Sequence, residues 1–203
     1  MSTSLVPRRT SVAFACLAVV AAAGATVAAP SAEARPRPKT TTVQILGLND
    51  FHGALEPPGG SGGRIGPAAA PIPAGGAEYL ATHVAALRAT NPNTVFVSAG
   101  DLIGATPLVS ALFHDEPTIE AFNAMGLDFN GVGNHEFDEG VDELLRMQYG
   151  GCHPVDGCQD GDGFAGASFD FLAANVAYKS NSETIFAPYR IRKFDGVKVA
   201  FVG

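Results

Sequence analysis

"GVGNHEFDEG", Gly131 to Gly140, places Asn134, His135, Glu136, Asp138 and Glu139 within a few residues of one another. An apolar run carrying Phe129 and Val132 precedes them and reads as a buried strand over 129–133. A polar cluster where a strand gives out is either a solvated turn or a metal site, and the rest of the chain has to decide between them.

Two earlier strands end the same way. "TTVQILGL", Thr41 to Leu48, is a β-rich run, and "NDFHG" with Asp50 and His52 follows it. "TVFVSAG", Thr94 to Gly100, is a continuous apolar run of buried-strand length, followed by "GDLIG" with Asp101. Ligands of open α/β sheets bind beyond the carboxyl ends of the strands. The three polar clusters are therefore expected to converge, which a single acidic loop would not do.

The residue types suit a pair of ions. Asp50 and His52 are two apart, so in an extended chain they point the same way and can grip one ion together. Asp101 has two oxygens and can bridge two ions. Asn134 offers a neutral oxygen to the second. Mixed carboxylate, imidazole and amide donors favour borderline divalent metals: Mn, Fe, Co or Zn. Two such ions about 4 Å apart make hydroxide available at neutral pH and neutralise a phosphate under in-line attack. His135 is left free of metal, to stabilise the transition state or protonate a leaving oxygen. Asp138, three residues on, can orient it and raise its pKa. Glu136 and Glu139 read as surface groups or as groups behind the ligands.

Elsewhere the pattern is that of an α/β protein. Gly53 to Gly76 is rich in Gly, Pro and Ala and reads as an irregular connection; its glycines match no phosphate-binding loop. Residues 77–90 place Leu80, Val84 and Leu87 at helical spacing, with His83 on that stripe as a packing residue. Short helices are expected at Pro107–His114 and Pro117–Met125, each opened by proline, and another at Gly140–Tyr149. His114, at a helix end, is expected to face solvent. "FDFLAANV" follows a loop, and "YRIRKF" and "VKVAFVG" are joined by Asp195-Gly196, a strong hairpin signal. Together these elements predict a sheet architecture of mixed direction. "DGDG" in the Gly150–Ser168 loop resembles a calcium loop but fails its pattern, since Cys158 and Phe169 would be its terminal ligands.

Composition narrows the class. The chain has 203 residues, 46% hydrophobic and 16% charged, a globular balance. The N-terminus reads as a cleaved signal peptide over 1–34. Arg8 and Arg9 precede an Ala-rich apolar run over 12–29, and "AEA" at 32–34 supplies the cleavage positions. The rival, a transmembrane anchor, is disfavoured by weak hydrophobicity and by Pro30. No stable membrane span is then expected after cleavage. Removing Arg8, Arg9 and Glu33 takes the net charge from −7 to −8. A nucleic-acid polymer as partner is thereby disfavoured, because it needs clustered Lys and Arg. Cys152 and Cys158 survive cleavage, and an even count in an exported protein predicts a disulfide. The rival zinc site of Cys152, His153 and Cys158 lacks a fourth ligand and the usual spacing.

"ILGLNDFHGAL", "VSAGDLIG" and "GVGNHEFDEG", in this order, resemble the calcineurin-like metallophosphoesterase superfamily, and within it the exported 5′-nucleotidase branch with its UDP-sugar hydrolases and 2′,3′-cyclic-nucleotide phosphodiesterases. The resemblance runs from about Val43 to Gly203. It implies a four-layer αββα sandwich of mixed sheets with a dinuclear site. Asp50 and His52 would hold the first metal, Asp101 would bridge, Asn134 would hold the second, and His135 with Asp138 would form the catalytic dyad. The implied substrate is a small phosphate ester, most simply a nucleotide. Family members complete the site with later Gly-His-type motifs and carry a C-terminal nucleoside-binding domain. His83, His114 and His153 stand in none of those contexts, and Gly203 directly follows a buried-looking strand. The expectation is therefore an N-terminal portion of the metallophosphatase domain over 35–203, inactive by itself. The alternative is an exported module that keeps this fold and binds without turnover.

Overall fold

The computed structural model describes residues 40–203 apart from Asp160 and Asp162. The signal-peptide reading of 1–34 and the two aspartates of "DGDG" lie outside the described residues.

Four parallel strands form the central sheet in the order β1 (Gln44–Leu48), β4 (Thr94–Ser98), β5 (Phe129–Gly131), β6 (Asp170–Leu172). β1 and β4 run in register from Gln44 opposite Thr94 to Leu48 opposite Ser98. Their carboxyl ends consequently lie side by side. Helices α1 (Ala77–Arg88), α2 (Leu108–Ala111), α3 (Glu116–Met125) and α4 (Val141–Tyr149) make the crossovers that parallel strands require.

Strand alternation divides the apolar residues between two cores. Phe96 and Phe171 point to the helical side, where they pack with Val84, Ile119, Phe122, Leu144 and Met147. Val95, Phe129 and Leu172 point the other way, into a second cluster with Phe194, Val199 and Phe201. Those last residues belong to the antiparallel hairpin β7 (Tyr189–Phe194) and β8 (Val197–Val202). Its turn has positive φ at both Asp195 (49°) and Gly196 (89°), the conformation of a tight hairpin turn matched to strand twist. The Asp195 carboxylate accepts from Asn93 Nδ2 at 2.8 Å, and Arg192 reaches Asp128 at 2.7 Å. The hairpin is thus fixed over the sheet face opposite the helices. Helix, parallel sheet and antiparallel hairpin are three of the layers of an αββα sandwich. The mixed direction expected from sequence is divided between layers: the central sheet is parallel, the hairpin antiparallel.

Three local readings change. The 53–76 segment is not wholly irregular, since Arg64–Ile65 (β2) pairs antiparallel with Ile72–Pro73 (β3). Two-residue strands centred on glycine-rich sequence carry no readable alternation. On α1, Leu80 and Val84 turn inward, but Leu87 is 46% exposed. His83 is also exposed, on the wall of an apolar groove with Ile65, Ile72 and Tyr79, rather than packed. Among the described residues no helix is long and apolar enough to cross a membrane.

Candidate metal centre and its supporting carboxylate

The loops after β1 and β4 are laced together by their backbones. The N–H groups of Asp50, His52 and Gly53 donate to the carbonyls of Gly100, Asp101 and Leu102, each at 3.0 Å. Asp50, His52 and Asp101 all have left-handed φ, of 52°, 46° and 54°. Such residues cost about 1–3 kcal/mol each and persist where the surroundings dictate them, typically at functional sites. Asp50 and His52 therefore meet through a turn, not through the extended chain that their spacing suggested. Asp50 Oδ1 lies 3.9 Å from His52 Nε2.

The ring of His52 has a defined tautomer. Its Nδ1–H donates to the Gly104 carbonyl at 2.8 Å, which leaves the Nε2 lone pair free for an ion. Gly104 is held in turn by Asp115, a buried carboxylate that accepts from Gly104 N at 3.1 Å and from Ser110 Oγ at 2.7 Å. The orientation of His52 thus begins in residues that sequence reading assigned no role.

His52, Asp101 and His135 each present a ligand-type atom within 4.8 Å of the others. Asp101 Oδ1 accepts the His135 backbone N–H at 3.0 Å. The His135 ring stands edge-on to His52, with centroids 4.9 Å apart. Its Nδ1 pairs with Asp138 Oδ2 at 2.8 Å. That hydrogen bond, aided by the charges of Asp138, Asp101 and Glu136 and opposed by partial desolvation, holds the His135 pKa above the ordinary imidazole value. Asp50, more than half exposed, stands at the rim, and Asn134 is exposed at the start of the short helical turn 135–137. The structure thus gathers Asp50, His52, Asp101, His135 and Asp138 around one region. The donor set fits a divalent ion: the His52 nitrogen is free, and carboxylates converge on it.

Glu136 is the residue whose importance sequence reading understated. It is 3% exposed and accepts four hydrogen bonds. Oε2 takes the N–H of Asp101 at 3.0 Å and of Gly133 at 2.7 Å; Oε1 takes Leu102 N–H at 2.9 Å and Asn130 Nδ2 at 3.2 Å. One carboxylate therefore sews the β4 loop to the β5 loop. The motif holds a partial signal: of three acids after a buried strand, the first sits nearest the strand end.

Gly133 is required by space. Its φ lies outside the left-handed region, but a Cβ there would overlap the Asp101 carboxylate and approach Asp101 N to 2.8 Å. Gly133→Ala is expected to cost about 1–3 kcal/mol by overpacking. It should also displace Asp101, lowering divalent-metal affinity. Urea unfolding and metal titration check both, and an alanine variant matching wild type in both would disprove this packing.

Comparison with known proteins agrees with the architecture. No family model matches the chain. An uncharacterised protein of Acinetobacter calcoaceticus, from the pqq-V 5′ region, is 51% identical over 164 residues, covering 77% of this chain and 80% of that protein. The endonuclease YhcR of Bacillus subtilis is 39% identical over 79% of this chain, but the match spans only 13% of YhcR. Among solved structures, the NAD nucleotidase NadN of Haemophilus influenzae matches with TM-score 0.59 and 28% identity, over 79% of this chain and 26% of that one. The calcineurin-like phosphoesterase YfkN of Bacillus subtilis matches with TM-score 0.53 and 25% identity, over 79% of this chain and 46% of that one. Parallel sheet, opposed hairpin and strand-end cluster define a phosphoesterase scaffold. The chain belongs to the calcineurin-like metallophosphoesterase superfamily and corresponds to the N-terminal portion of its domain.

Proposed function

We propose that the protein is an exported, dinuclear-metal phosphoesterase of the 5′-nucleotidase type, hydrolysing nucleotide phosphate esters. The observation that carries this reading is the meeting of His52, Asp101 and the His135–Asp138 pair at the ends of three parallel strands. The likeness to a nucleotidase structure supports the substrate class. In this reading Asp50, His52 and Asp101 would hold the first ion, and Asp101 and Asn134 would hold the second. The ions are divalent, drawn from Mn, Zn, Fe and Co. When bound they supply charge neutralisation at the phosphoryl group and an acidified water.

The chain's own residues do the rest. Gly104 and Asp115 fix the His52 ring, and Glu136 fixes the loop that presents Asp101. Asp138 holds the His135 ring by Nδ1, which leaves Nε2 to carry a proton toward the leaving oxygen of the ester. Export through residues 1–34 and a Cys152–Cys158 bond belong to the same proposal. The pairing of the two cysteines, with Cα atoms 4.6 Å apart, supports the latter.

Hydrolysis of a phosphodiester polymer is the second reading, favoured by the 39% identity to an endonuclease. The net charge of −7 opposes it. Phosphate release from nucleoside monophosphates, set against cleavage of single- and double-stranded DNA and RNA, separates the two on the whole gene product. Chelation should abolish nucleotide turnover and Mn²⁺ should restore it. Protein that carries two ions yet releases no phosphate from any nucleotide would overturn the nucleotidase reading; if it also cuts no nucleic acid, the binding module remains.

A further inference from the structure

His114 lies outside the strand-end centre, yet both of its ring nitrogens meet carboxylates. The residue follows α2, and φ is left-handed at both His114 (50°) and Asp115 (63°), so the chain turns sharply there. The His114 side chain is only 19% exposed. It therefore does not face solvent as its place at a helix end suggested. Nδ1 lies 3.1 Å from Glu139 Oε2, and Nε2 lies 2.9 Å from Asp156 Oδ2. An ionised carboxylate can only accept, and a neutral imidazole has one N–H, so only the doubly protonated ring satisfies both partners. Burial by itself lowers the His114 pKa. The hydrogen bonds to Asp156 and Glu139, with the charges of Glu139 and Glu143, outweigh it and hold that pKa above the ordinary imidazole value.

His153 is the opposite case. Its Nδ1 accepts the Asp156 backbone N–H at 3.2 Å, so that nitrogen carries no proton and the ring is neutral. It lies flat on His114, with centroids 3.7 Å apart and planes 12° from parallel. The stack thus sets a neutral ring on a charged one and covers the cation without repelling it.

The two carboxylates held by His114 belong to different segments. Asp156 comes from the loop closed by Cys152 and Cys158, whose start is anchored where Arg146 Nη1 donates to the Gly151 carbonyl at 2.9 Å. Glu139 directly follows Asp138, the carboxylate that holds His135 Nδ1 at 2.8 Å. A cavity of about 20 Å³, with His114, His135, Asp138 and Glu139 in its lining, lies between, with room for about one water. A second contact runs through the next residue. Asp115 holds Gly104 N, and a Cβ on Gly104 would come within 2.8 Å of Asp138 Oδ2. His114 and Asp115 therefore bear on the dyad through two separate contacts.

We propose that His114 is a positioning residue of the His135–Asp138 pair: anchored by Asp156 and His153, it fixes Glu139 and so the segment that presents Asp138 to the His135 ring. This role rests on the reading of His135 as the acid that protonates the leaving oxygen. It extends the support of that acid to the disulfide-closed loop.

Aryl and alkyl esters separate such a role from a general effect on folding. p-Nitrophenolate leaves without a proton, whereas the 5′-oxygen of a nucleoside needs one, so weakened proton delivery slows the nucleotide more. In the whole gene product with Mn²⁺, His114→Ala should lower kcat for a nucleoside monophosphate by about 10- to 100-fold, a part of the roughly 10² to 10⁴ that an acid contributes. It should lose clearly less on p-nitrophenyl phosphate, with KM and bound metal unchanged. His114→Gln, which keeps an N–H donor, should fall between wild type and His114→Ala. Glu139→Ala cuts the same link at a half-exposed side chain and should repeat the result, which covers a His114→Ala protein that fails to fold. In a His135→Ala background His114→Ala should add nothing, because residues that act through one another are not additive. With His135→Ala impaired, any of three results overturns this role and leaves the acid reading standing: equal losses on the two esters, a full further loss in the His135→Ala background, or wild-type kcat in folded His114→Ala and Glu139→Ala. His135→Ala as fast as wild type, or a wild type inactive on both esters, overturns the acid reading and this role with it.

Discussion

His135→Ala in the whole gene product is expected to lower kcat by roughly 10² to 10⁴ while leaving the strand-end centre with close to two ions. That range is what a positioned acid or base contributes. The reasoning rests on which nitrogen is free. Nδ1 is held by Asp138 at 2.8 Å, so only Nε2 can act, and Nε2 can either meet an ion or hand over a proton. His135 lies close enough to His52 and Asp101 to make the first conceivable. The Asp138 hydrogen bond, which raises its pKa in the metal-free protein, favours the second, because a group that keeps its proton is a poor ligand and a good acid. Asn134→Ala supplies the contrast: as a proposed ligand of the second ion, its loss should take the metal bound at the strand-end centre toward one ion, and lower activity as well. Asp138→Asn should cost less than His135→Ala, since the imidazole remains and only its orientation and charge suffer. Metal analysis with single-turnover kinetics on the three variants decides. Loss of metal in His135→Ala to the same extent as in Asn134→Ala would make His135 a ligand and remove it from the role of acid.

How much of this was legible beforehand follows from where the information sits. Buried parallel strands advertise themselves as unbroken apolar runs, so Thr94–Ser98 was plain in "TVFVS". The hairpin was legible because Asp195-Gly196 is chosen for positive φ. The convergence of Asp50, His52, Asp101 and His135 was readable too, since parallel topology delivers strand ends to one edge. What sequence could not give is anything decided by the third dimension at short range. Spacing placed Asp50 and His52 on one side of an extended chain, but a left-handed turn brings them together. His114 is separated from His153 and Asp156 by some forty residues of chain that include two helices and a strand, and only folding stacks the two rings. The β2–β3 ribbon was invisible because two residues cannot display a period.

Glu136 shows the same limit most sharply. In sequence it is one acid among three, and charged residues are mostly exposed. In the fold it is buried and accepts from Asp101, Leu102, Gly133 and Asn130. Truncation to alanine would strand three backbone N–H groups and one amide, and each buried unsatisfied donor costs about 1–3 kcal/mol. Water can enter the vacated volume and recover part of this, so the full sum is not expected. Glu136→Ala should lose about 3–5 kcal/mol, a large share of the ~5–15 kcal/mol typical of a whole domain. Glu136→Gln keeps the shape and one acceptor but turns an NH2 group toward N–H donors, and should lose about half as much. The two loops that Glu136 joins carry Asp101 and His135, so the glutamine variant should also bind divalent metal about 10- to 100-fold more weakly although no proposed ligand has changed. Urea unfolding of the metal-free proteins isolates the stability effect, and metal titration of the folded glutamine variant reads the positioning effect. A glutamine variant with wild-type metal affinity but reduced stability would make Glu136 a purely structural clamp. One that matched wild type in both would mean that the β4 and β5 loops hold their places without it.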